Sequence, residues 1–241
     1  MALLDWYFFS KVLDKNYAFR VLLPDEVDKP LHVLYLLHGL SDDFTGWSRL
    51  TSIERYWGKF ADRLAIVMPD AGRSFYTDPT DEHGGKYESF FLKEFIPYFE
   101  AHLTQKIPRE RRAICGLSMG GYGAFRLALK SDNIFGTVGS FSGALDFLRY
   151  SKSQEFSCRM WDESNNISVL INNWTPQIQP RIKMLCGDQD FLLESNRAFS
   201  ALLKEKGFVH EYKETPGIHN WTYWDTNLPE MLDFIMSSPE K

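Results

Sequence analysis

The sequence predicts an α/β fold, with a mostly parallel central sheet covered by helices on both faces, in a single domain over residues 1–241. Three observations carry this expectation. Short continuous apolar runs such as Val33–Leu37 and Leu64–Met68 read as strands buried on both sides. Between such runs lie amphipathic stretches: in Tyr87–Leu103 the residues Phe90, Phe91, Phe95, Ile96 and Phe99 recur at helical spacing. Strands that alternate with helices build right-handed βαβ crossovers, and a chain of 241 residues can bury a full core without staples or metals.

Taken in order, Trp6–Leu13 and Tyr17–Leu23 read as an opening hairpin joined through Asp14-Lys15-Asn16. Val33–Leu37 runs into His38-Gly39, and Leu64–Met68 is closed by Pro69-Asp70. After the helix over Tyr87–Leu103 come a strand at Arg112–Gly116, a helix at Tyr122–Leu129 rich in Ala and Leu, and a strand at Phe135–Phe141. Residues 150–180 are polar and weakly periodic, and read as an excursion over the surface that forms a partial cap. Ile182–Cys186 is a strand ending in Gly187, and Glu194–Lys206 is a helix stopped by Gly207. The last strand is Phe208–Lys213 and the last helix Trp221–Met236, with Pro229 inside it or between turns.

Composition excludes several classes of function. A net charge of −5 with both signs interspersed argues against a nucleic-acid surface and against a polybasic membrane anchor. No apolar run approaches a bilayer span. The opening Met-Ala-Leu-Leu-Asp5 lacks a basic and then apolar leader, so the expected location is cytoplasmic, although removal of a leader stays open. Cys115, Cys158 and Cys186 are too few and too scattered for a disulfide framework or a zinc site. Cys115 and Cys186 sit at the ends of strands that the usual order separates by another strand, too far to bridge. Asp81-Glu82-His83 reads as a solvated turn, because sequential neighbours point apart and no second cluster supports a metal.

In such sheets ligands sit beyond the carboxyl ends of the strands, and the residues with chemistry fall there. Gly116-Leu117-Ser118-Met119-Gly120 is a G-x-S-x-G pentapeptide with strand before it and helix after it, the context in which a serine hydroxyl is lifted clear of a sheet. Gly116 and Gly120 leave room for neighbouring backbone, and Gly121 and Gly123 let the helix approach the sheet. The N–H of Met119 faces developing negative charge, and the N–H of Leu40, beyond His38-Gly39, is the second expected oxyanion donor. Gly39 is expected for a tight turn, and His38 as a packed structural histidine in the wrong chain order to be a base.

The chain order Ser…Asp…His then selects the partners. Asp190 follows the strand Ile182–Cys186 and is preferred over Asp188, whose place next to the strand suits turn-shaping; Asp146 is a third choice. His219, in the loop before the last helix, is the base, since His210 falls within a strand. Trp47 reads equally as an acyl-pocket wall or an ordinary core residue. Arg73, on the loop after Leu64–Met68, either binds substrate or packs on its own loop, and Trp221 is a further substrate-binding candidate.

These residues carry a resemblance. Leu36–Ser41, Thr51–Tyr56, Gly72–Asp78, Gly116–Ala124 and Ser140–Asp146 resemble the esterase D family of α/β-hydrolases, and are most similar to its tributyrin esterase branch. Relatives there include S-formylglutathione hydrolases, acetyl xylan and feruloyl esterases and mycolyl transferases. The resemblance implies a serine carboxylesterase for short-chain acyl esters, without metal or organic cofactor. It also supports Ser118, Asp190 and His219 as the triad, with Leu40 and Met119 as oxyanion donors. Leu117 and Tyr122 stand where the formylglutathione branch typically has histidine, and Glu88-Ser89-Phe90-Phe91 where the tributyrin branch has a more aromatic helix start. A carbohydrate esterase, a formylglutathione-type thioesterase and an inactive hydrolase-fold scaffold are the rival expectations. The expected partner is a small-molecule ester, with no nucleic acid and no membrane; a homo-oligomer stays open.

Overall fold

The computed structural model describes residues 2–25, 29–79, 85–131, 133–145, 165–176 and 178–237. The chain opens with a hairpin of β1 (Ala2–Ser10) and β2 (Lys15–Leu23), in register from Ala2 opposite Leu23 to Ser10 opposite Lys15. Six further strands follow: β3 (His32–Leu37), β4 (Leu64–Pro69), β5 (Arg112–Leu117), β6 (Thr137–Phe141), β7 (Arg181–Gly187) and β8 (His210–Thr215). Their order is β1-β2-β4-β3-β5-β6-β7-β8, with β2 antiparallel to β4 and every pairing from β4 onward parallel.

The alternation of side chains explains why the central runs are wholly apolar. Val33, Tyr35 and Leu37 enter one core layer, whereas Leu34 and Leu36 enter the other. On the second side lie α1 (Gly46–Leu50), α2 (Ile53–Trp57) and the last helix, Trp221–Met236, bringing Trp47, Ile53, Trp57, Leu228 and Met231. The first side is covered by α3, a helix made of Tyr87–Phe90, a wide π turn over Phe91–Phe95, and Ile96–Glu100. It is joined there by α4 (Met119–Lys130), α5 (Ile167–Asn173) and α6 (Leu193–Glu205). Trp221–Met236 is α7; it carries Pro229 internally and is capped by Asn220, whose side chain accepts from the Tyr223 N–H at 2.9 Å.

Several local boundaries differ from the sequence reading, each for a visible reason. The hairpin turn ends at Asp14, whose φ of 49° lets β2 begin already at Lys15. The last strand begins at His210, because Phe208 turns back to donate its N–H to Leu203 and stacks its ring on Trp174. Five-residue helices such as α1 and α2 are too short to print a period, and α5, capped by the Asn166 side chain, interrupts what reads as a surface excursion. Residues 150–164 of that excursion, with Asp146, Cys158, Asp81, Glu82 and His83, lie outside the described residues. Cys115 and Cys186 are free, buried, and separated by β6. Among the described residues no helix is long and apolar enough to cross a membrane.

Candidate active site

β5 delivers Ser118 to the carboxyl edge of the sheet, and α4 begins at the next residue. Ser118 has φ 52° and ψ −115°, a conformation that costs a non-glycine residue about 1–3 kcal/mol. Hydrogen bonds hold it there: its N–H donates to Phe141 at 2.9 Å, and its carbonyl accepts from Tyr122 at 3.1 Å and Ala144 at 3.0 Å. The flanking glycines are a matter of space. A Cβ on Gly116 would lie 2.5 Å from the Gly120 carbonyl, and one on Gly120 equally close to the Leu37 oxygen. Gly121 packs against Ser140 of the sheet as expected, whereas Gly123 faces the ring of Tyr76, on the loop after β4.

The loop between β8 and α7 brings His219 across, with Nε2 at 3.0 Å from Ser118 Oγ. Its Nδ1 lies 2.9 Å from Asp190 Oδ2 and 3.1 Å from Oδ1. A nitrogen facing a carboxylate carries the proton, which leaves Nε2 as the acceptor toward the serine hydroxyl. The Asp190 side chain is completely buried. Burial acts to raise its pKa, but hydrogen bonds from His219, Ser142 and the Leu192 N–H outweigh that and hold the carboxyl below its ordinary range.

Asp188 is exposed and shapes the turn: it accepts from the Gly217 N–H at 3.1 Å, while its own N–H donates to Thr215. His210 lies in β8 against Ser200 Oγ at 2.7 Å, away from this group. His38 is buried and structural in its contacts. Its Nε2 accepts from the Ala71 N–H at 2.9 Å, so Nδ1 carries the proton and donates to the Gly39 carbonyl at 2.7 Å.

Leu40 and Met119 line the cavity above Ser118, and among the described residues nothing accepts from the N–H of either. Gly39 has no positive φ, so its turn does not call for glycine; a Cβ there would lie 2.6 Å from the terminal methyl of the Leu117 side chain, which would have to move aside. The cavity holds about 280 Å³ and has a mostly apolar wall that includes Phe75, Ala144, Phe191, Trp221 and Trp224.

Of the three substrate-binding candidates, only Trp221 lines this cavity. Trp47 is 1% exposed, donates from Nε1 to the Leu37 carbonyl at 3.1 Å, and packs edge-on behind Trp221 with 5.4 Å between ring centroids. It is a core residue. Arg73 is exposed and outside the lining; the same loop contributes Phe75 instead. Phe75 and Tyr76 both have positive φ, 51° and 56°, and that backbone twist turns Phe75 inward where the residue types alone point to Arg73.

Two further residues escape a reading by motif. Ser142, at the end of β6, is buried with φ 47°; its hydroxyl accepts from Trp224 Nε1 at 3.4 Å and hydrogen-bonds Asp190. Phe191 stacks obliquely on the His219 ring with centroids 4.5 Å apart. The only available signals were the Ser142-Gly143 step after an apolar strand and the aromatic residue directly after Asp190. Among the described residues no three His, Cys, Asp or Glu side chains are grouped to hold a metal ion.

Comparison with known proteins agrees with this architecture. A family model described as "Putative esterase" matches residues 10–235. An acetyl esterase of Caldicellulosiruptor saccharolyticus is 29% identical over 270 aligned positions, covering 98% of each chain. The substrate-bound fluorophosphonate-binding serine hydrolase FphF of Staphylococcus aureus superposes with a TM-score of 0.88 at 26% identity, over 98% of this chain and 99% of its own. The S-formylglutathione hydrolase FrmB of the same organism gives a TM-score of 0.81 at 26% identity, with the same coverage. The fold is that of the α/β-hydrolases.

Proposed function

The chain belongs to the esterase family, whose model spans residues 10–235, and it is a carboxylesterase; on that premise we propose that it hydrolyses short-chain acyl esters as one domain through an acyl-enzyme on Ser118. The observation that carries this reading is the relay of His219, with Nε2 at 3.0 Å from the serine hydroxyl and Nδ1 on the buried Asp190.

Ser118 Oγ attacks the ester carbonyl carbon while its proton passes to His219 Nε2. The carbonyl oxygen becomes an oxyanion that accepts from the N–H groups of Leu40 and Met119, donors that have no other acceptor among the described residues. As the carbon–oxygen bond to the alcohol breaks, the imidazolium returns its proton to the departing oxygen. Water then loses a proton to His219, attacks the acyl carbon, and releases the acid and free Ser118. Asp190 stays ionised throughout and stabilises the imidazolium.

The cavity of about 280 Å³ argues for a small acyl group held between apolar walls, among them Phe75, Ala144 and Trp221. Trp47 and Arg73 take no part in this reading. The test is hydrolysis of p-nitrophenyl esters from acetate to octanoate by the wild type and Ser118→Ala. Turnover is expected to peak at short chains and to vanish in the variant, with an unchanged circular dichroism spectrum. Full turnover by Ser118→Ala would overturn the nucleophile, and a maximum at octanoate would overturn the acyl preference.

A further inference from the structure

A second cavity, of about 370 Å³, lies at the opposite end of the sheet, beyond the amino ends of the parallel strands. His32 and Arg181, which line it, are the first residues of β3 and β7. Arg109 and Arg111 reach it from the single helical turn that leads into β5, and Ile178 and Ile235 give it apolar wall.

These guanidinium groups hold no carboxylate among the described residues. Arg109 donates to Asn133 Oδ1 at 2.7 Å and the Ile178 carbonyl at 3.0 Å, and Arg181 to the Phe234 and Ser237 carbonyls and the Ser237 hydroxyl. All of those partners are neutral. Arg111 is partly exposed, and its guanidinium has no hydrogen-bond partner among the described residues. Glu110 and Glu211 act on Arg109 and Arg181 only through space.

The local potential registers on neighbouring groups. Burial lowers the pKa of Arg109 and of Arg181. His32 is pushed down to about 4, by burial first and then by the charges of Arg111 and Arg63. Clustered guanidinium groups partly withdrawn from water, with no carboxylate in hydrogen-bond reach among the described residues, are costly, and their planar forks match carboxylate and phosphate oxygens. Glu110, which also lines the cavity, is exposed.

We propose that this cavity binds a small organic anion, whose oxyanion head meets Arg109, Arg111 and Arg181 and whose apolar part lies against Ile178 and Ile235. A six-residue strand such as β5 spans roughly 20 Å at about 3.3 Å per residue, so the bound anion sits a full strand length from Ser118 and is a ligand distinct from the substrate.

The test uses the full chain with two probes: sulfate, which stands for a phosphate-type head and keeps its charge at low pH, and butyrate, a carboxylate with an apolar tail. Calorimetric titration at pH 7 and low ionic strength is run on the wild type, Arg111→Gln and Lys11→Gln. Lys11 is an exposed charge in the hairpin turn beyond the other end of the sheet. The titration of the His32 ring is followed by NMR in parallel, with His32→Gln assigning the signal.

At least one probe is expected to bind the wild type and Lys11→Gln alike, to bind Arg111→Gln about tenfold or more weakly, and to raise the His32 midpoint. Binding of sulfate alone assigns a phosphate-type ligand, and binding of butyrate alone a carboxylate. No binding of either probe, or equal weakening by Lys11→Gln and Arg111→Gln, overturns the proposal.

Discussion

The phenol of Tyr76 donates to the main-chain carbonyl of His38 at 3.0 Å, both groups being buried, and so ties the loop after β4 to the loop after β3. His38 completes the tie from its side chain by accepting from the Ala71 N–H. The Leu40 N–H, two residues on, is therefore held by a loop that contributes nothing to the chemistry itself. Tyr76→Phe leaves the His38 carbonyl without this donor and is expected to cost about 1–3 kcal/mol of stability. Ester turnover should fall through kcat more than KM, because an oxyanion donor acts in the transition state. Thermal melts and Michaelis kinetics on one short-chain ester check both parts; an unchanged kcat would mean that the loop holds its place without Tyr76.

Asp190 and Asp188 stand two residues apart and have opposite surroundings, buried against His219 and exposed in a turn. Asp190→Asn is expected to lower kcat by about 10⁴ through the wrong imidazole tautomer, and Asp188→Asn to leave it within a few-fold. The two variants should also separate in acid. The folded-state pKa of Asp190 is lowered, despite burial, by its hydrogen bonds from His219 and Ser142. Its contribution to stability is thus complete above the unfolded carboxylate value, about pH 4, and is lost as pH falls through the folded value. Asp190→Asn removes that dependence, so its unfolding free energy should decline less steeply below about pH 4 than that of the wild type. Urea melts between pH 2.5 and 6 give the comparison.

Much of this site can be read from the chain alone, for a physical reason. The pentapeptide around Ser118 needs glycine at fixed offsets because backbone approaches backbone there, and that requirement is written in residue types. The choice of Asp190 over Asp188 likewise follows from where a strand ends and a turn begins. The walls of the cavity were less legible. Trp47 and Trp221 are the same residue type, yet one sits behind the other, and only packing decides which lines the cavity. Phe75 faces inward because two consecutive residues adopt positive φ, which no residue type at 75 or 76 announces. The short helices α1, α2 and α5 depend on tertiary packing for stability and print no period.

The glycines offer a matched pair of opposite sign. Gly116→Ala places a methyl group 2.5 Å from the Gly120 carbonyl and 2.8 Å from Leu37 Cβ, backbone on one side and the root of a buried side chain on the other. Overpacking where nothing can yield is expected to cost about 1–3 kcal/mol or more and to displace Ser118. Gly58 has helical φ and ψ and nothing within 4 Å of its added Cβ, so Gly58→Ala should stabilise by about 0.4–1 kcal/mol through the unfolded chain. Denaturant midpoints test both. A neutral Gly116→Ala would mean that β5 and α4 can separate, contrary to the close approach seen here.

Ser142 links Trp224 to Asp190: it accepts from the indole Nε1 and hydrogen-bonds the carboxylate that faces His219 Nδ1. Trp224 in turn sets its ring edge-on to His219 with centroids 5.0 Å apart, so the imidazole is steadied from both directions. Ser142 also has φ 47°, a conformation that glycine adopts without strain. Two substitutions separate these roles. Ser142→Ala and Ser142→Gly both remove the hydroxyl and should lower kcat alike, with KM little changed. Only the glycine variant relieves the backbone, so it should be the more stable of the two, by an amount within the roughly 1–3 kcal/mol such strain stores. Kinetics and melts on the pair decide the matter. If Ser142→Gly turns over at the wild-type rate, the hydroxyl does not position Asp190; if both are slow and differ only in stability, orientation of the acid passes through this serine.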